Sequence, residues 1–205
     1  MSRIMKKVKL KIMVASTIYG FEDSLEQICA VLQSFGYKVW NSHIRTIPVH
    51  PGLSNRDNCL VAVESCDIFF GIIRERYGAV ITDNVSITHQ EIRKAIELRK
   101  PRWFVTHRNV TVARQLLKQY MYNKQGEPNP DFTYRATGIM DDVRVIALYN
   151  EIIGQDIPPA ERKGNWVDEY SGIEDILKCL ETQFMDRKRI EQIVRELRGY
   201  DNETT

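Results

Sequence analysis

Glu91 is the residue from which a chemical reading of this sequence starts. It stands in SITHQEI, Ser86 to Ile92, behind an apolar run of strand length from Asp67 to Ile73 and a loop of charge, Tyr and Gly from Arg74 to Gly78. Helical spacing resumes from Ser86 to Leu98. Strand, polar loop and helix in that order place Glu91 in a first helical turn, where the free amides and the helix dipole hold a carboxylate ionised. An ionised carboxylate suits a nucleophile or a stabiliser of positive charge, and does not suit a general acid. Thr88-His89-Gln90-Glu91 also fits a capping box, in which the Glu side chain returns to the backbone N–H of the cap residue. The local and the chemical readings are not exclusive.

Other candidates follow from topology. In open parallel sheets ligands bind outside the carboxyl ends of the strands, where the strand order reverses. The strand exits here carry Ser16, Thr17 and Tyr19, then Asn41, Ser42, His43 and Arg45, then Arg74, Glu75, Arg76 and Tyr77, and last Thr106, His107 and Arg108. Arg74 and Arg76 with Tyr77 and Gly78 read either as an anion-binding lip or as a solvated loop. Asp67 belongs to the opposite edge of the sheet. No Walker or GxGxxG phosphate loop and no Gly-x-Ser-x-Gly elbow is present. The four histidines are scattered, and Cys29, Cys59, Cys66 and Cys179 form no CxxC pair, so no metal site is expected and the cysteines read as small buried residues.

The elements that must position these groups alternate. Val8 to Ala15 reads as a strand and Phe21 to Phe35 as a helix; Tyr37 to Asn41 is a second strand, followed by a Pro- and Gly-containing loop. Ser54 or Asn55 caps a helix running to Ser65 that buries Cys59, Leu60 and Val63. Asp67 to Ile73, apolar at nearly every position, is a central parallel strand covered on both faces. Thr88 to Arg99 is the third helix, Arg102 to Thr106 the fourth strand, and a helix capped by Asn109 turns Val112, Leu116, Leu117 and Tyr120 inward. Asn123 to Gly138 is a flexible insertion, Ile139 to Ile153 a helix, Trp166 to Tyr170 an edge strand and Ile173 to Phe184 a closing helix. Such alternation predicts a parallel sheet with helices on both faces.

The 205 residues, 43% hydrophobic and 27% charged, suit one compact domain. We expect it over 1–185, with an insertion at about 122–165 and a helical tail over 186–205 whose apolar face either docks or mediates association. A net charge of +2 gives no global field for nucleic acid or an anionic membrane, so any anion site is local. No apolar run approaches the roughly 18 to 20 residues that span a bilayer. Met1 to Lys7 is a short basic lead without a signal-peptide stretch, and reduced thiols and a cytoplasmic location are expected.

Several segments together resemble a bacterial domain-of-unknown-function family found ahead of STAND-type NTPase modules in proteins assigned to defence and signalling. They are the strand exit from Ala15 to Asp23, Asn58 to Asp67, the GI-RYG run within Gly71 to Gly78, Ser86 to Ala95, Lys100-Pro101 and Gly164 to Val167. The likeness covers about Lys9 to Phe184, and without the NTPase module the chain would be a stand-alone version. That family is in turn similar, more distantly, to nucleoside deoxyribosyltransferases and TIR domains. The resemblance implies a flavodoxin-like (Rossmann-like) three-layer sandwich with about five parallel strands in the order 2-1-3-4-5, and Glu91 in the position of the catalytic glutamate. The Asp-x-Gly-Thr run that precedes this glutamate in the transferases is replaced by Asp83 to Thr88, so substrate identity does not carry over.

Two functions remain open at this point. One is an N-glycosidic-bond hydrolase or transferase acting on a nucleotide or nucleoside, with Glu91 catalytic, Ser16, Thr17 and Tyr19 holding ribose or base, Arg74, Arg76 or Arg45 the phosphates, and Tyr77, Gly78, Ser86 and Thr88 also in the substrate site. No cofactor is expected, and NAD enters as a substrate: nicotinamide leaves without protonation, which suits a site with one carboxylate. Glu75 and Asp83 are only loop candidates for a second. The other is a non-catalytic module binding a nucleotide or a signalling protein through the same edge. A homo-oligomer through the C-terminal helix is a further expectation, while neither membrane nor nucleic acid is.

Overall fold

The computed structural model describes residues 9–82 and 84–203; the basic lead Met1 to Lys7 and Asp83 lie outside the described residues. In chain order the elements are β1 (Lys11–Ser16), α1 (Glu22–Ser34), β2 (Lys38–Trp40), α2 (Asn55–Ser65) and β3 (Ile68–Ile73). A short hairpin follows, β4 (Val80–Thr82) and β5 (Val85–Ser86), then α3 (Ile87–Glu97), β6 (Arg102–His107) and α4 (Arg108–Met121). The chain closes with α5 (Arg144–Ile152), a 3-10 turn (Pro159–Glu161), β7 (Val167–Tyr170), α6 (Ile173–Phe184) and α7 (Arg187–Glu203).

Five strands form one parallel sheet in the order β2-β1-β3-β6-β7, which is the expected 2-1-3-4-5 order once the two-stranded β4-β5 hairpin is set aside. All six residues of β3 are buried, as a strand covered on both faces requires. Alternate residues of β3 feed opposite layers. Phe69 and Ile73 face α2, α3, α4 and α5, while Ile68, Phe70 and Ile72 face α1, α6 and α7. Phe184 closes the second layer, its ring edge-on to Tyr37, Phe70 and Trp103 and its carbonyl accepting the Tyr37 hydroxyl at 2.8 Å. Ile190 and Val194 of α7 are buried in the same layer. All four cysteines are free and buried.

Asp67 serves the fold from the edge remote from the strand exits, where its carboxylate accepts the Lys11 N–H at 2.7 Å. Among the described residues no helix is long and apolar enough to cross a membrane.

Several local expectations are corrected. The α4 helix is capped by His107, not Asn109: the His107 Nδ1 accepts the Asn109 N–H. The frame changes with it, so that Val110, Ala113, Leu117 and Met121 face the core while Val112, Leu116 and Tyr120 are exposed. On α2, Asn58 and Ala62 are buried with Cys59 and Val63, and Leu60 is only partly covered. The helix expected from Ile139 begins at Arg144; Ile139 is exposed, and Met140 is buried from the irregular segment before the helix. The β4-β5 hairpin has no counterpart in the sequence reading, because two and three residues are too few for a strand period to register.

Gly71 of β3 lies opposite Phe104 of β6. A Cβ there would stand 2.6 Å from Cδ1 of Phe104 and 3.2 Å from Cε1 of Phe69. Gly71→Ala is therefore expected to destabilise the protein by roughly 1–3 kcal/mol through overpacking, read as a lower urea midpoint at unchanged slope. An unchanged midpoint would show that the two rings move aside freely.

Candidate functional site

The carboxyl ends of β1 and β3 diverge at the point where the chain turns to β2 on one side and to β6 on the other, and a cleft of about 810 Å³ opens there. Its floor is Val14 to Tyr19. One wall comes from the loop after β2 (Ser42, Arg45, Ile47, Val49) and the start of α2 (Asn55, Asn58, Cys59). The other comes from the loop after β3 (Arg76, Gly78, Ala79), the start of α3 (Ile87, Thr88, Glu91) and Asp141.

Glu91 lies on this wall through a start of α3 that differs from the expected one. Ser86, not Thr88, is the cap: its Oγ accepts the His89 N–H at 3.3 Å. Glu91 is then the fifth helical residue, beyond the reach of a capping box. Gln90 reaches back instead, its Nε2 donating to the Val85 carbonyl at 3.0 Å. Freed from the helix terminus, Glu91 is 4% exposed. Burial pushes its carboxyl up to about 7, against the opposing pull of a hydrogen bond from Cys59. The expectation of a carboxylate held ionised by the helix end is thereby corrected. Desolvation, together with the Glu91 carboxylate beside it, raises the Cys59 thiol to about 12, so Cys59 is an S–H donor and not a thiolate.

Of the other predicted residues, Ser16, Thr17, Tyr19, Arg45, Arg76, Gly78 and Thr88 share the cleft with Glu91. Ser16 and Thr17 are buried; the Ser16 hydroxyl donates to the Thr17 carbonyl at 3.1 Å, while the Thr17 Oγ1 has no partner among the described residues. Tyr19 is 80% exposed at the mouth. Among the described residues the guanidinium groups of Arg45 and Arg76 make no hydrogen bond or ion pair, and Arg45 adopts a left-handed backbone with φ of 55°. Gly78, at φ 87°, lets the loop lie against Thr17: a Cβ would come within 2.7 Å of the Thr17 methyl.

Three predicted residues stand behind the cleft. Arg74 is buried, donates to the carbonyls of Thr17 and Tyr19 at 3.3 and 2.9 Å, and lies over the Phe21 ring at 4.6 Å. It straps the β1-α1 loop and is not placed for phosphate. Ser86 is the helix cap. Tyr77 is buried, with its hydroxyl 2.7 Å from the His89 Nδ1.

Sequence reasoning missed the groups that hold this wall. The His89 Nε2 is 3.1 Å from Glu151, and Arg93 grips the same carboxylate at 2.8 and 2.6 Å. Burial alone would push Glu151 up, but the hydrogen bonds from Arg93 and His89 win and hold it at about 2. Tyr77, His89 and Glu151 thus form one hydrogen-bonded chain along this wall. Arg144, paired with Asp142, stacks over the Tyr77 ring at 4.7 Å and donates to the Asn84 carbonyl at 2.6 Å. Asp141 takes the Tyr77 N–H on Oδ1 at 2.9 Å, and its own N–H donates to the Glu75 carbonyl at 3.2 Å. Apart from His89 and Arg93 of α3, these partners come from the stretch expected as a helix from Ile139 to Ile153, which the sequence reading did not connect with the cleft. Asn58, also missed, accepts the His50 N–H and donates to the carbonyls of His50, Leu53 and Ser54, pinning the loop ahead of α2. Among the described residues no three His, Cys, Asp or Glu side chains are grouped to hold a metal ion.

Comparison with curated proteins gives no match. Among solved structures, the CMP N-glycosidase BcmB of Clostridium botulinum is similar at 12% identity over 84% of this chain and 98% of that one, with a TM-score of 0.44. The family described as Domain of unknown function (DUF4062) matches residues 11–157, a span that holds every element lining the cleft, and the chain belongs to that family.

Proposed function

We propose that this protein cleaves or transfers at the N-glycosidic bond of a nucleotide, NAD or a simpler nucleotide, with Glu91 as its catalytic carboxylate. The observation that carries this reading is a buried glutamate on the wall of a deep, largely apolar cleft, with a single thiol as its hydrogen-bond partner and its carboxyl raised to about 7. Perturbation by desolvation inside a cleft is the signature of a group kept for chemistry. The TIR-like and deoxyribosyltransferase-like character of the sequence around Glu91, and a role in bacterial defence or signalling, belong to the same proposal and rest on the resemblance in sequence.

The chemistry runs as follows. The bond from C1′ to the base nitrogen breaks, its electron pair leaves with the base, and positive charge builds on the sugar. The ionised Glu91 carboxylate faces that charge or bonds to C1′; water, or an acceptor hydroxyl, then adds at C1′, displacing Glu91 where it has bonded, and its proton goes to solvent when nicotinamide leaves neutral or to the departing base when the base leaves as an anion. Arg45 and Arg76, with no protein partner, supply charge for phosphate at the rim. Thr17 offers an unpartnered hydroxyl from the floor, and Tyr19 a ring at the mouth. The apolar side chains Ile18, Ile47, Val49 and Ile87 exclude water around the reacting sugar.

With NAD, AMP and CMP as substrates, purified protein is expected to release free base, and Glu91→Gln to lose roughly a thousandfold or more of that rate with its circular dichroism unchanged. Turnover in the variant equal to the wild type would remove Glu91 from the chemistry; ligand binding without base release in either protein would favour a non-catalytic module. Because the active form is ionised, kcat/KM is expected to rise with pH up to about 7 and to level off above it.

Stability moves in the opposite sense. The folded state holds the proton of Glu91 more tightly than the unfolded chain, whose value is near 4.5. The neutral acid is tolerated at low pH, and stability is lost as pH rises from about 4.5 through 7. Glu91→Gln removes this loss, so the variant is expected to exceed the wild type by on the order of 3 kcal/mol at pH 8 and by much less at pH 5. Denaturant titration at both values checks it, and an advantage that does not change with pH would contradict the raised carboxyl.

A further inference from the structure

We propose that Asp141 is the residue of this cleft that reads the sugar, accepting a hydrogen bond from the 2′-hydroxyl of a ribonucleotide and so selecting ribose over 2′-deoxyribose. The inference rests on the nucleotide reading above and adds to it the class of sugar. Asp141 and Glu91 are the two carboxylates of the cleft lining. They are held in different ways: Glu91 is desolvated against Cys59, whereas Asp141 is fixed from outside by its neighbours on the β3-β4 loop. Its Oδ1 accepts the Tyr77 N–H at 2.9 Å and its backbone N–H reaches the Glu75 carbonyl, so the carboxylate cannot swing away. Oδ2 receives no hydrogen bond from any described residue, and the nearby cations are engaged elsewhere, Arg144 with Asp142 and Arg74 with the carbonyls of the β1-α1 loop.

A carboxylate accepts and cannot donate, so in the substrate it seeks a hydroxyl or an amine. Its place along the chain decides between them. Asp141 is bonded to the residue next to Arg76, which faces the phosphate on the proposed reading, and it shares the wall with Glu91, which faces C1′. The part of a nucleotide that lies between its phosphate and C1′ is the sugar, and the hydroxyl beside C1′ is the 2′-hydroxyl.

The test uses base-free sugar phosphates, so that the choice of base plays no part. Ribose 5-phosphate and 2-deoxyribose 5-phosphate are titrated calorimetrically into the wild type and into Asp141→Asn, which keeps an oxygen for the Tyr77 N–H and puts an amide donor in place of Oδ2. The wild type is expected to bind ribose 5-phosphate about tenfold or more tightly than the deoxy sugar, and the variant to lose that preference while holding the deoxy sugar as before. Equal affinity of the wild type for the two sugars, or an equal loss of both in the variant, overturns the assignment of Asp141 and leaves the nucleotide reading in place. Binding of neither sugar by either protein overturns the nucleotide reading and the assignment with it. The comparison of two ligands on the wild type decides the matter even where the variant fails to fold.

Discussion

The burial of one carboxyl group constrains the rest of this structure. Glu91 lies on an apolar wall with a thiol as its hydrogen-bond partner, and its raised pKa measures how unfavourable its charge is there. A side chain so placed relaxes toward water if its helix can shift or fray, so the start of α3 has to be rigid. The Ser86 cap, the Gln90 to Val85 hydrogen bond and the Tyr77-His89-Glu151 chain all hold His89 or Gln90, the two residues just ahead of Glu91. None of them touches the Glu91 carboxyl. They fix the backbone that carries it.

The bracing comes from far along the chain. Asp141, Arg144 and Glu151 belong to the stretch between α4 and β7, and each reaches back to the β3-β4 loop, the hairpin or α3. Arg93 completes the arrangement by pairing with Glu151, the carboxylate that together with the Tyr77 phenol holds His89. The crossover after α4 thus does the work that a longer hairpin or a tighter loop would otherwise have to do. It also brings a second carboxylate into the cleft, which a reading of the first hundred residues cannot supply.

What the sequence made legible follows from the range of each signal. The central strand is a continuous apolar run with one meaning, and a parallel sheet follows from β-α alternation, so β3 and the sheet were readable, whereas the strand order came from the resemblance. The cleft residues at the strand exits followed from the same topology, and eight of the eleven predicted site residues line one cavity. Arg74 failed because a strand exit fixes position and not direction: its side chain leaves β3 on the α1 side, where three carbonyls and the Phe21 ring receive it. Glu91 was found for a partly mistaken reason. Two hydroxyl residues, Ser86 and Thr88, compete as caps, and choosing the second put the carboxylate two residues too close to the helix terminus. Asp141 and Glu151 carry no local signal at all, since their roles exist only once the crossover folds over α3.

The distribution of charge across the cleft bears on how such a site can turn over. The cations Arg45 and Arg76 belong to loops at the rim, while Glu91, buried on the inner wall, is about half protonated near pH 7. A phosphate drawn to the rim therefore meets less negative charge from Glu91 than a fully ionised carboxylate would present. Once a cationic leaving ring or a developing oxocarbenium ion stands over Glu91, an opposite charge within a few ångströms favours the ionised carboxylate and reverses the effect of burial. Cys59 helps in the same direction, because its S–H bond stabilises the carboxylate and not the acid. On the proposed reading the group is thus weakly charged when the site is empty and strongly charged when the transition state needs it. Differential binding of that kind accelerates a reaction, whereas a permanently ionised carboxylate would hold the ground state equally well.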